Sequence, residues 1–173
     1  SHMGYGYHGD NNKIGTNQPL FCTVTLRDFM PESKYNTQIQ PNTVAKACAA
    51  ASDLGVWMLN VHASGGLEMM QAAREAVNQS ESKPLLIAVT VLTSMNQAAL
   101  NQIGVPVDLT QHVLNLATLT KRANLDGVVC SALEATMLRT QIGPEFCLVT
   151  PGIRPANANQ DDQSRVVTPA DAL

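Results

Sequence analysis

Charge is scarce in this sequence. Asp, Glu, Lys and Arg make up 14% of the 173 residues, where roughly a quarter is usual. That excludes a charge-rich disordered chain and a coiled coil. The 11 Lys and Arg form no cluster and the formal net charge is −3, which argues against a binder of duplex nucleic acid working through a basic patch. Aromatic residues are equally sparse at 4%. No apolar run approaches the roughly 18 residues of a membrane span. Paired CxxC cysteines are missing too. Cys22, Cys48, Cys130 and Cys147 stand apart, and a free cysteine in an apolar segment behaves as a small hydrophobe. A reducing, cytoplasmic setting without disulfides is expected.

What is present is an alternation. Hydrophobic runs at 57–63 (WMLNVHA), 85–92 (LLIAVTVL), 127–132 (GVVCSA) and 147–153 (CLVTPGI) read as strands. Helical patterns lie between them at 66–79, 96–104, 109–124 and 133–143. A further helix runs from Asn42 or Thr43, as cap, to Gly55. Near-continuous apolar strands alternating with helices predict an α/β fold with right-handed βαβ units and a parallel sheet. Ahead of residue 41 the character differs. Residues 1–19 have the Gly and Asn content of loops, with Ser1-His2-Met3 resembling the scar of a cleaved tag. PLFCTVTL at 19–26 reads as a strand, and 27–40 is polar and irregular. Thr168 and Pro169 begin another helix.

In a parallel α/β fold the residues at the C-terminal strand ends face the ligand. Here those ends read NVHASGG, TVLTSM, VCSA and TPGIRP. Small hydroxyls, backbone N–H groups, one His and one Arg suit a phosphorylated, hydroxyl-rich small molecule. They contain no carboxylate and no lysine, so an acid or base must come from elsewhere.

The segments PNTVAKA, DLGVWMLNVHASGG, PLLIAVTVLTSM, LDGVVCSA and LVTPGIRP, in this order and spacing, resemble the orotidine 5′-monophosphate decarboxylase family. The resemblance covers about 41–173. It implies a (β/α)₈ barrel, a homodimer, and removal of CO₂ from a pyrimidine nucleotide without a cofactor. It implies that Thr93 and Ser94 contact the pyrimidine, that Gly152, Arg154 and Gln163 lie in the loop over the phosphate, and that His62 belongs to the scaffold beside the site.

The chain also departs from the family pattern. The family signature Asp-x-Lys-x-x-Asp stands directly before Ile-Pro-Asn-Thr; counted back from Pro41, its positions hold Lys34, Asn36 and Ile39. An earlier lysine-bearing strand and the last strand with its Gly-Arg phosphate loop have no counterpart. The expected architecture is thus a truncated barrel: about four parallel strands in 41–173 plus a new strand in an unrelated segment 1–40. Open sheet edges would be buried by dimerisation, with N-terminal segments exchanged between copies.

Three functional readings follow. The first is a metal-dependent hydrolase of phosphate esters, a nucleotide phosphodiesterase reusing the groove. His8, Asp10 and His62 would hold Zn²⁺ or Mn²⁺, with His62 and Asp28 catalytic, and the metal would lower the pKa of a bound water. The second is a catalytically inactive barrel fragment stabilised by dimerisation, or a nucleotide-binding protein. The third, disfavoured by the replaced signature, is residual decarboxylation, since a carbanion-like transition state needs an adjacent ammonium.

Overall fold

Strands form where β-branched and aliphatic residues run together, and helices where apolar residues recur at helical spacing. In the computed structural model, which describes residues 21–23, 40–154, 165 and 167–170, these segments follow one another as β1 (Phe21–Thr23), α1 (Gln40–Asp53), β2 (Met58–His62), α2 (Gly66–Gln79), β3 (Leu85–Val89), α3 (Gln97–Gln102), α4 (Leu109–Arg122), β4 (Gly127–Val129), α5 (Ala135–Ile142) and β5 (Cys147–Val149). Short 3-10 turns, Ala63–Gly65 and Ala132–Glu134, link β2 to α2 and β4 to α5.

The strands make one sheet in the order β1-β2-β3-β4-β5, with every pairing parallel. Spatial order equals chain order, the arrangement of a (β/α) barrel wall. The α/β expectation holds: parallel strands and their helices form part of such a barrel. The strand expected at 19–26 is described over Phe21–Thr23, where Thr23 pairs with Asn60. Register then carries across the sheet, His62 opposite Val89, Val89 opposite Val129, and Val129 opposite Val149.

Pleating sends alternate residues to opposite faces. Leu59, Val61, Leu86, Ala88 and Val128 point to the helices and join a core with Cys48, Met70, Ala73, Val77, Val113, Ala117 and Leu138. Full burial of each Leu among them contributes roughly 1.5–3 kcal/mol. The many alanines let the helices lie close to the sheet. Helix starts carry their own acceptors: Asn96 Oδ1 accepts from Ala99 N at 3.0 Å, and Asp108 Oδ1 from Gln111 N at 3.1 Å. One cap differs from expectation. Helix α1 begins at Gln40, so Asn42 and Thr43 lie inside its first turn. Pro41 explains this, because its fixed φ and missing N–H suit the start of a helix.

At the N-terminal ends of the strands, Asp126 ties three elements. Its Oδ2 accepts from Leu86 N at 2.6 Å and pairs with the Arg74 guanidinium of α2. Beside it Gly127 permits close strand approach, since a Cβ there would run into the Cys147 carbonyl.

Candidate functional site

The opposite, C-terminal ends of the strands bring the polar residues together. Strand β3 runs into Thr90, whose Oγ1 and N both reach Val129 O, at 2.9 and 3.1 Å. Cys130 N donates to Val149 O at 3.0 Å. These bonds hold the segments after β3, β4 and β5 side by side. Thr93, Ser131 and Gly152 are buried there, Arg154 is half-buried, and Ser94 is exposed. Gly152 has φ +85, a left-handed conformation that a side chain would strain. Beyond it Arg154 N donates to Val167 O at 3.0 Å and Val167 N to Gly152 O at 3.3 Å.

One ion pair underlies this end. Glu134 is 4% exposed, and its Oε2 accepts from Ser131 N at 2.8 Å in a capping box that starts the turn after β4. Its Oε1 pairs with Arg165 Nη1. Arg165 Nη2 donates to the carbonyls of Val91 at 2.9 Å and Leu92 at 3.1 Å, and Arg165 N to Thr93 O at 3.1 Å.

Burial shapes the titration of this end. Desolvation lowers the pKa of His62 below its ordinary 6.5, so the imidazole is neutral at pH 7. Cys130 is pushed up to about 11, chiefly by burial and against the pull of the Arg165 and Arg139 charges. Its thiol is therefore inert at neutral pH. The pKa of Arg165 is lowered by burial.

Of the residues singled out from sequence, the fold gathers Thr93, Gly152 and Arg154 at one end of the sheet, with Ser94 beside Thr93 and His62 at the end of β2. His8, Asp10, Asp28 and Gln163 lie outside the described residues, as do Lys34, Asn36 and Ile39. The sequence reading missed Glu134 and Arg165. The Ser131-x-x-Glu134 spacing is the signal that marks the first of them; Arg165 had none, because it acts across a separation of 31 residues. A cleft of ≈ 620 Å³ opens at the other end of the strands, lined by Leu85, Lys121, Asp126, Gly143 and Cys147 among others. It faces away from these polar strand ends and is not part of the site.

Comparison with known proteins bears directly on this end of the sheet. Residues 40–173 match the model of the Orotidine 5′-phosphate decarboxylase / HUMPS family. A protein of Pseudoalteromonas atlantica named orotidine 5′-phosphate decarboxylase is 62% identical over 134 residues, which is 77% of this chain and 58% of the relative. One of Nitrosococcus oceani with the same name is 63% identical over 155 residues, 90% of this chain and 62% of the relative. That second match is longer than 41–173 and so takes in part of segment 1–40. The chain thus spans about six-tenths of the length of these relatives. Among solved structures, orotidine 5′-phosphate decarboxylase from Lactobacillus acidophilus aligns with a TM-score of 0.67 at 36% identity, covering 80% of this chain and 59% of that one. An uncharacterized conserved protein from Geobacillus kaustophilus aligns with a TM-score of 0.65 at 35% identity, covering 77% and 59%.

These findings overturn the metal-dependent hydrolase reading. Relatives at this identity are named decarboxylases, not phosphoesterases or phosphodiesterases. Nor do the described residues gather three His, Cys, Asp or Glu side chains into a cluster able to hold a metal. The Zn²⁺ or Mn²⁺ assigned to His8, Asp10 and His62 is withdrawn, and with it the hydrolytic roles of His62 and Asp28. The error was to seek new chemistry in a loop with a His and an Asp two apart, a pattern common in plain loops. Half-buried His62, with its lowered pKa, closes a strand. Among the described residues no helix is long and apolar enough to cross a membrane.

Proposed function

This chain belongs to the orotidine 5′-phosphate decarboxylase / HUMPS family, and from that premise we propose that its C-terminal strand ends form the nucleotide-binding part of an orotidine 5′-phosphate decarboxylase site, serving that lyase reaction without a metal. The observation that carries the reading is the convergence of Thr93, Gly152 and Arg154 on one end of a parallel sheet. Thr93 and Ser94 supply hydroxyls for the pyrimidine. Gly152 presents backbone in a left-handed conformation that a side chain would strain, and the Arg154 guanidinium matches a phosphate in a bidentate manner. Gln163 completes the phosphate contacts.

Decarboxylation asks more than binding. Loss of CO₂ leaves negative charge on the ring carbon, and stabilising it takes a positioned ammonium that then delivers a proton. The described strand ends hold no lysine and no acid aimed at a ligand. With Lys34, Asn36 and Ile39 at the counted signature positions, the chain binds better than it turns over.

The test measures binding of orotidine 5′-phosphate and of its product uridine 5′-phosphate by calorimetry, and turnover by the change in pyrimidine absorbance. Binding of both nucleotides, with turnover far below that of a full-length relative assayed alongside, is expected. Absence of binding to either nucleotide overturns the reading.

We also propose a homodimer in a reducing, cytoplasmic setting; the exchange of N-terminal segments is not part of it, since the strand Phe21–Thr23 pairs with β2 of its own chain. The exposed Leu92 and Leu133 at the site end support burial against a second copy. Light scattering at micromolar concentration showing a folded monomer overturns it.

A further inference from the structure

We propose that Arg165, with Glu134 as its counter-charge, is a positioning residue: it sets Gly152 and Arg154 against the Thr93 segment and thereby sets the grip on the phosphate. The inference rests on the nucleotide-site reading above.

Arg165 touches no proposed ligand group. It joins the segments that follow β3 and β4 to the stretch paired with the segment after β5. One guanidinium nitrogen pairs with Glu134, whose other oxygen is held by Ser131 N after β4. The second nitrogen takes the carbonyls of Val91 and Leu92 after β3, while the Arg165 backbone N–H takes the carbonyl of Thr93. Two residues on, Val167 is bonded to both Gly152 and Arg154 after β5. Arg165 and Val167 therefore tie the Thr93 segment to Gly152 and Arg154.

Burial makes the arrangement stiff. The side chains are 10% and 5% exposed for Arg165 and Glu134. A solvated ion pair would hold little, but a charge left alone in this place is costly, so the pair stays made. The chemistry also calls for arginine. A planar fork meets a carboxylate and two carbonyls at once, whereas a lysine ammonium offers a compact point charge on a flexible stem.

The test compares the unaltered chain with Arg165→Lys, Glu134→Gln and the control Asp126→Asn, which breaks the ion pair at the far end of the sheet. Calorimetry gives the dissociation constants for uridine 5′-phosphate and for uridine. Arg165→Lys and Glu134→Gln are expected to weaken the phosphorylated ligand about tenfold or more, the size of one charge-assisted hydrogen bond, and uridine by less than about twofold. The control should keep the ratio of the unaltered chain. In parallel, amide hydrogen exchange of Arg165 and Val167 should quicken in both variants while amides of β2 do not.

An unchanged ratio in folded variants overturns the inference, and so does unchanged exchange at Arg165 and Val167. If Glu134→Gln fails to fold, Arg165→Lys, which keeps both charges, decides. Failure of the unaltered chain to bind either ligand overturns the site reading instead. The tether then stands on exchange alone: faster exchange upholds it, and unchanged exchange removes it.

Discussion

The two ends of the sheet each carry an arginine–carboxylate pair, and they are built differently. At the N-terminal ends Arg74 and Asp126 are 16% and 33% exposed, and Asp126 also accepts from a strand amide. At the C-terminal ends Arg165 and Glu134 are 10% and 5% exposed. The first pair staples a helix to neighbouring strands with water at hand. The second adds a side-chain link between loops beyond the strand-end hydrogen bonds, and its charges have little water to fall back on. Similar residue types thus tie helix to strand at one end and, on the proposal above, place the candidate site at the other. Solvent access decides how much each pair contributes.

Breaking one partner at each end measures that difference. Glu134→Gln is expected to cost about 3–5 kcal/mol, because it leaves a buried guanidinium without its counter-charge. Asp126→Asn should cost about 1–2 kcal/mol, through a weakened hydrogen bond and a partly exposed pair. Urea unfolding at pH 7 reads both. Equal losses would erase the contrast.

Glycines sharpen it from another side. Gly127→Ala should cost about 1–3 kcal/mol by overpacking, since the new Cβ meets backbone that belongs to β5. Gly152→Ala should cost about 1–2 kcal/mol through its left-handed φ, and should weaken nucleotide binding as well. A thermal melt of each variant, paired with calorimetry, separates the two. Loss of binding in Gly127→Ala at a temperature where it is fully folded would contradict the division between the ends.

The smallest effect concerns pH. Burial depresses the folded-state pKa of His62 below its unfolded value of 6.5. Below 6.5 the unfolded chain therefore binds more protons than the folded one. The stability tied to neutral His62 is fully present above that pH and is lost as pH falls toward the folded-state pKa. The urea midpoint should drop between pH 7.5 and 5.5, and drop less in His62→Asn. Parallel drops in both chains would remove His62 as the cause.

Much of the fold was legible because its periodicities are local. Strand runs such as LLIAV and GVV need only their neighbours to be read. Helix α2 was read from Gly66 to Gln79 as the structure has it, because Gly and Asn punctuate it clearly. The start of α1 was misplaced by a Pro that fits inside a helix. At the candidate site, Thr93, Gly152 and Arg154 were singled out by their place at strand ends together with the family resemblance, and the structure gathers them at one end of the sheet. Glu134 and Arg165 were not found, since a pairing between loops far apart in the chain leaves no pattern in either loop. The metal ligands were wrongly sought for the converse reason: a short spacing such as His8 and Asp10 is a local pattern, and a metal site needs further ligands that only the fold can bring to it. The count back from Pro41 that places the signature at Lys34, Asn36 and Ile39 also meets a structural fact. The strand beside β2 is Phe21–Thr23, well ahead of those positions.

By itself the sequence determined the alternation of strand and helix, the parallel sheet and the family, because hydrophobic period and motif order are properties of the linear chain. The tertiary structure alone decided which charges meet, which of them lose their water, and that one buried guanidinium links segments at the candidate site. Those outcomes depend on distances between residues remote in sequence and on solvent exclusion, and neither exists until the chain has folded.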